Sequence, residues 1–292
     1  MARSEILNLL LTLDRGEPVV VDAVGGGCIA SAAIARFADG TEVFVKTVSG
    51  GTGMFEAEAA GLRELDAAGA IRVPRVLAVD SAGLVLECIR EGRRPPGFFE
   101  SFGRALAALH LHRAPVCGFH QDNYIGATPQ PNAPLVQGEG DAGDGRDWPS
   151  FYLERRLRFQ CDLAAGRGAD ELMGLLDQAE PRIRDLLESA IEPPVLLHGD
   201  LWGGNFLVDE AGEPVLIDPA VYYGHREAEL AMTRLFGGFD PQFYAGYAEA
   251  SPLIAGHEER LPLYQLYHVI NHFNLFGGGY GDQARRILQS YR

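Results

Sequence analysis

The stretch LLHGDLWGGNFLVDEAGEPVLIDPA runs from Leu196 to Ala220. One apolar run precedes Asp200, a second follows Asn205, and a third ends at Asp218. FLVDEAGEPVLI reads as a β-hairpin with DEAGE as its turn, because Asp and Gly supply the tight backbone a hairpin requires. A hairpin brings its ends together, so Asn205 and Asp218 should face one point although they are thirteen positions apart. Two hard oxygen donors at one point suit Mg²⁺, which takes one or two protein carboxylates and completes its shell with water and substrate phosphates. Asp200, five residues before Asn205, then stands where a hydroxyl nucleophile would approach. Asp, Asn and Asp in this order, on this secondary structure, form the arrangement of kinase-type phosphoryl transfer. Turn capping by Asp200 and Asn205 is the plainer alternative. His198 reads as a residue that orients the loop from the core, since Asp200 already holds the position of the base.

Such a site needs parts upstream, and candidates stand there in order. Residues 18–48 read as strands and turns around GGGCIAS, whose Gly26, Gly27 and Cys28 offer backbone N–H groups to phosphates. Lys46, in VFVKTV on the third strand, is placed to reach the α- and β-phosphates of ATP. MFEAEAAGLRELDAAG reads as a helix with a glycine stop. Phe55, Glu58, Leu62 and Leu65 share one of its faces, while Glu56 lies with Arg63 on a polar one. A Glu on an apolar face needs a cation, so Glu58 is the expected partner of Lys46. In LVLECI, the carbonyl of Glu87 and the N–H of Ile89 are placed to read adenine through the backbone.

The texture changes after about residue 88. Helices dominate from FFESFGRALAALHLHR onward, with further ones expected at 149–166, 170–191, 225–236, 240–250 and 257–275. The fold class is α+β: a bilobal, protein-kinase-like chain with a β-rich first lobe over 1–88 and a helical second lobe over 89–292. VQGEGDAGDGRDWP is acidic and glycine-rich, but Gly143 and Gly145 stand where calcium ligands would be needed, so it reads as a surface loop.

The chain has 292 residues, with 25 basic against 40 acidic ones and a net charge of −15. That surface repels nucleic acid and anionic membranes, so neither is an expected partner. No apolar run approaches a membrane span, and MARSEILNLLLTLDRG reads as an amphipathic helix rather than a signal peptide. The cysteines at 28, 88, 117 and 161 form no CxxC, which fits free thiols in a reducing cytoplasm. Cys28, directly after three glycines, is a candidate redox-sensitive thiol; a small buried residue helping the loop to pack is the alternative.

Several segments make the chain resemble the fructosamine (ketosamine) kinase family. HGDLWGGN, DPAVYYGHREAELAMTRLFGGF and NHFNLFGGGY carry the resemblance, and GGGCIAS, MFEAEAAGL, IRVPRVL and DNYIGATPQPN agree with it. It runs from about residue 18 to 292. It implies a fold close to aminoglycoside and choline kinases, and ATP-dependent phosphorylation of a sugar hydroxyl on ketosamines, the products of amine glycation. Phosphorylation would make the adduct unstable, so the implied role is deglycation. Gly203 stands where Ser is common in the family, and Glu229 where Asp is common.

The sugar site is thinner in the sequence. Trp202, two residues after the candidate base, is a platform on which sugar C–H faces would stack. His225 and Glu227 either bind sugar hydroxyls or build a helix N-terminal network. Asp122 and Asn123 either line the cleft or cap a turn. The paired His110/His112 and His268/His272 read as core histidines rather than metal ligands. The rival functions are an antibiotic- or choline-type phosphotransferase and a pseudokinase that only binds a partner. The carrier of the ketosamine, free amine or protein side chain, and the choice between monomer and homodimer stay open.

Overall fold

The computed structural model describes residues 2–24, 31–48, 53–135, 144–145 and 147–292, with the backbone alone for residues 2–6. Gly26, Gly27 and Cys28 lie outside the described residues, as do residues 136–143 of the acidic, glycine-rich stretch. Packing divides the chain into two compact units. The first is Met1–Phe98 together with Asn205–Pro219, and the second is Phe99–Gly204 together with Ala220–Arg292.

The first unit is built on an antiparallel five-stranded sheet: β1 (Val20–Val24), β2 (Ser31–Arg36), β3 (Glu42–Thr47), β4 (Val76–Asp80) and β5 (Gly83–Glu87), in the order β1-β2-β3-β5-β4. Side chains alternate between the faces of a strand. Val43 and Val45 of β3 join Ala35, Val85 and the buried Leu9 and Leu10 of helix α1 (Ala2–Leu11) in one apolar cluster. The period of two then turns Lys46 to the opposite face, where α2 (Met54–Ala68) supplies Glu58.

The same unit holds the hairpin of β9 (Phe206–Val208) and β10 (Pro214–Leu216). Both of its edges are paired to first-unit backbone. On one side the Gly92 N–H donates to the Val208 carbonyl, and on the other the Leu216 N–H donates to the Arg72 carbonyl. Gly92 is needed for this approach, since a Cβ there would come within 2.0 Å of the Asp209 carbonyl oxygen. The division by packing therefore differs from a simple boundary after residue 88: the first unit runs on through Phe98 and recovers the hairpin.

The second unit is helical. It comprises α3 (Phe98–Leu109) from Phe99 onward, a continuous helical run of α4 (Trp148–Phe151), a π-helical stretch (Tyr152–Arg158) and α5 (Phe159–Ala165), then α6 (Glu171–Glu188), α7 (Arg226–Leu235), α8 (Pro241–Ala250), α9 (His257–Phe276) and α10 (Tyr280–Ser290). Two small antiparallel pairs complete it: β6 (Asn123–Ile125) with β7 (Thr128–Gln130), and β8 (Val195–Leu197) with β11 (Tyr222–Gly224). At its core the fully buried Arg156 donates to the Pro131 carbonyl and to Asn132 Oδ1, and lies over the rings of Tyr222 and Phe151 at 4.1 and 4.8 Å. Among the described residues no helix is long and apolar enough to cross a membrane.

Candidate active site

The hairpin closes as its sequence predicts. Leu216 pairs with Phe206, and one step further the Ile217 N–H donates to the Asn205 carbonyl at 3.0 Å. Asp218 follows directly, so the pairing places Asn205 and Asp218 together at the open end of the hairpin. Asp209 shapes the turn: its Oδ1 accepts the N–H groups of Ala211 and Glu213. Asp218 adopts φ of +56°, one of two non-glycine residues with positive φ among those described. A side chain held in that sparsely populated region is a costly arrangement, retained where its direction matters.

Lys46 reaches two carboxylates. Its Nζ lies 2.6 Å from Glu58 Oε1 and 2.5 Å from Asp218 Oδ1. Glu56 is exposed on the other side of α2, so Glu58, among the apolar residues, is the one that makes the pair. Burial by itself would lower the Lys46 pKa; the charges of Glu58 and Asp218 outweigh it and raise the pKa to about 12. The lysine is thus a permanent cation beside the open end of the hairpin. Glu87 is held by two arginines, with Arg72 at 2.7 Å and Arg75 at 3.3 Å. Its side chain is occupied, which leaves any adenine reading by Glu87 and the half-buried Ile89 to the backbone.

Asp200 belongs to the second unit. The chain enters it through Gly199 at φ +85°, where an added Cβ would come within 2.0 Å of the Ala220 carbonyl oxygen. His198 is fully buried; its carbonyl accepts the Ala220 N–H at 2.8 Å and its Nδ1 accepts the Asp200 N–H at 3.3 Å. This is the orienting role that its sequence position suggests. The buried Glu229 fastens the same loop, its carboxylate accepting the N–H of His198 at 2.5 Å and that of Gly199 at 3.2 Å. Glu229 thus holds the backbone of the loop that carries Asp200. Gly203, like Glu229 a departure from the family pattern, leaves little room: a Cβ there would lie 3.1 Å from the Gly237 carbonyl oxygen and from Gly238 Cα.

Trp202 is 39% exposed, and its indole lies against Gly204, where a Cβ would come within 2.3 Å of the ring. The remaining sugar-site candidates divide. His225 caps the start of α7: its Nδ1 accepts the Glu227 N–H, and its Nε2 lies 2.7 Å from the Ala190 carbonyl. Both oxygens of the buried Glu227 are taken by Arg260 at 2.7 Å. Of the two readings of His225 and Glu227, sugar hydroxyls or a helix-start network, the contacts present are those of the network. Asn123 is likewise internal, donating to the Val221 carbonyl and accepting from Gln130 and Asn132. Asp122 is exposed and accepts the Asn132 N–H on one oxygen. His110 and His268 are buried, and no group of three or more His, Cys, Asp or Glu residues suited to a metal exists among those described. A site of one carboxylate and one amide, completed by phosphate oxygens, would not form such a group, and it is the kind of donor set Mg²⁺ takes.

Residues 10–292 match the family model of fructosamine kinase. A probable ketoamine kinase of Synechocystis is 44% identical over 81% of this chain and 78% of its own. A chloroplastic protein-ribulosamine 3-kinase of rice is 40% identical over 93% of this chain and 78% of its own. A candidate fructosamine-3-kinase of Thermobifida fusca, solved by crystallography, superposes with a TM-score of 0.83 at 35% identity and covers 98% of each chain. The β-sheet unit with its paired lysine and the helical unit with its Asp loop are thus those of a kinase-like fold, and the chain belongs to the fructosamine kinase family.

Proposed function

We propose that this protein is an ATP-dependent kinase that phosphorylates a sugar hydroxyl of ketosamines, free or protein-linked, in a deglycation role. The observation that carries the reading is Lys46 paired at once with Glu58 and Asp218, beside a hairpin that ends on Asn205. Asp200 orients the acceptor hydroxyl and takes its proton. The hydroxyl oxygen bonds to the γ-phosphorus as the bond from that phosphorus to the bridging oxygen of ADP breaks. Lys46, held by Glu58, binds the nucleotide phosphates, and the 87–89 backbone takes the adenine. Asn205 and Asp218 fit Mg²⁺ as hard oxygen donors; bound there, the ion would neutralise phosphate charge. The free thiols Cys88, Cys117 and Cys161 accord with a reducing, cytoplasmic setting.

An ADP-release assay with ATP, Mg²⁺ and a ribulosamine or fructosamine tests the reading, with NMR of the product giving the phosphorylated carbon. Turnover with a ketosamine and none with aminoglycosides or choline is expected. Asp200→Asn should lower kcat by about 10²–10⁴ at unchanged ATP affinity, the range for a positioned base. Turnover confined to aminoglycosides or choline, or ATP binding with no acceptor at all, would replace it by one of the rival functions.

A further inference from the structure

Among the described residues, three tryptophan and phenylalanine side chains are exposed: Trp202 at 39%, Phe236 at 40% and Phe276 at 57%. All three belong to one row of ring contacts. Trp202 meets Phe236 edge to face at 6.3 Å between centroids, Phe236 meets His272 at 4.6 Å, and His272 meets Phe276 at 5.6 Å and Tyr280 at 5.2 Å. The row is assembled from separate elements of the second unit: the Asp200 loop, the end of α7, the end of α9 and the start of α10. Gly277 and Gly278, at φ +69° and +67°, turn the chain so that Phe276 and Tyr280 both come to His272. Every other phenylalanine described, and Trp148, is buried or half-buried. A contiguous exposed apolar patch built from distant segments is the mark of a binding surface. The phosphoryl-transfer roles above use none of it, and only Trp202 is a candidate to meet the sugar.

We propose that Phe236, His272, Phe276 and Tyr280 form the subsite for the amine carrier of the ketosamine, and that they favour apolar or aromatic carriers. The inference rests on the ketosamine-kinase reading. A ketosamine is a sugar joined through a secondary amine to its carrier, and the amine is only a few bonds from the sugar hydroxyls. Trp202 is two residues from Asp200. A hydroxyl presented to Asp200 therefore leaves the carrier within reach of Trp202 and the rings beyond it. The linking amine is a cation at neutral pH, and aromatic faces attract cations. Among the described residues, Arg234, two residues before Phe236, is turned elsewhere, over Tyr244 at 4.4 Å and paired with Glu258, and Arg285 pairs with Asp282 and Glu171. Small polar carriers would leave the rings wet and gain nothing from them.

The test compares ketosamines of one sugar made with benzylamine and with glycine. The wild-type enzyme should prefer the benzylamine adduct by about tenfold in kcat/KM, through KM, in line with one well-filled apolar contact. Phe236→Ser and Phe276→Ser should each reduce that preference about three- to tenfold, the scale of one aromatic pair. The KM for ATP should not move, and melting curves of both variants serve as the folding control. Equal kcat/KM for the two adducts, or a preference that survives both substitutions, overturns the subsite while ketosamine phosphorylation stands. Phosphorylation of neither adduct would instead remove the functional reading itself. Light scattering separates the remaining occupant: a dimer dissolved by Phe276→Ser, with the preference unchanged, would make the row a contact between two copies and overturn the proposal.

Discussion

Arg72 and Asp209 stand 137 residues apart in sequence, and their side chains meet at 2.6 Å. The same guanidinium holds Glu87 at 2.7 Å, and the Arg72 carbonyl accepts the Leu216 N–H, two residues before Asp218. One residue therefore ties the hairpin of Asn205 and Asp218 to the strand end that leads into 87–89. Arg72 is about half exposed, so each ion pair contributes little, roughly 0.2–1 kcal/mol. Arg72→Met should raise the KM for ATP and the Mg²⁺ needed for half-maximal rate about two- to fivefold, with the sugar KM unmoved. Arg72→Lys should recover only part, because an ammonium cannot fork between two carboxylates. Steady-state kinetics in which all three constants move together would mean that the pair holds the fold and not the hairpin.

Asp218 offers a sharper substitution than truncation. Asn tolerates the left-handed backbone that Asp218 adopts at φ +56°, so Asp218→Asn keeps the turn while removing the charge. It also takes one of the two carboxylates from Lys46. Phosphoryl transfer should fall at least about a hundredfold, because the carboxylate that would hold Mg²⁺ against the phosphates is lost. Rates titrated against Mg²⁺ check this. A variant with the wild-type Mg²⁺ response would rule out Asp218 as a ligand.

Glu229 should matter more than its distance in sequence from Asp200 suggests. Glu229→Ala strands the N–H groups of His198 and Gly199 inside the protein, at about 1–3 kcal/mol each. The melting temperature should drop by several degrees. Glu229→Gln keeps a single carbonyl acceptor and should be intermediate in stability. In Glu229→Gln, kcat should fall more than ATP affinity, since the loop carries Asp200 and not the phosphate lysine. A loss of stability with kcat intact would confine Glu229 to packing.

The parts of this site that are local in sequence were legible there. The hairpin declares itself by two short apolar runs around DEAGE, and strand period plus helix face select Lys46 and Glu58. Helices α7, α8 and α9 fall within a residue or so of the expected 225–236, 240–250 and 257–275. What failed was non-local. Arg260 lies 33 residues after Glu227, so nothing near Glu227 announced that both its oxygens are used. His225 stands among polar residues in sequence, and only in space does its ring stack with Tyr264 and Trp148, far from it along the chain. Helix α10 was not foreseen, because its start is masked by the glycines of FGGGYG and its composition is mostly polar.

Buried histidines give the fold an acid limit. His268 is 3% exposed, and burial, reinforced by His272 and Arg156, lowers its pKa from 6.5 to about 3. Burial also lowers the pKa values of His110, His225 and His272. Between pH 6.5 and 3 the unfolded chain binds a proton at His268 that the folded chain refuses, so stability rises with pH across that window and is lost as pH falls through it. Each such proton contributes a slope of about 1.4 kcal/mol per pH unit. His268→Gln removes one of them at a site where Nδ1 has no hydrogen-bond partner. Urea unfolding of both proteins at pH 4.5, 5.5 and 7 should show a shallower acid loss in the variant, by about one proton's slope. The carboxylates common to both proteins cancel in that comparison. Parallel stability curves for wild type and His268→Gln would mean that His268 takes up its proton without unfolding the chain.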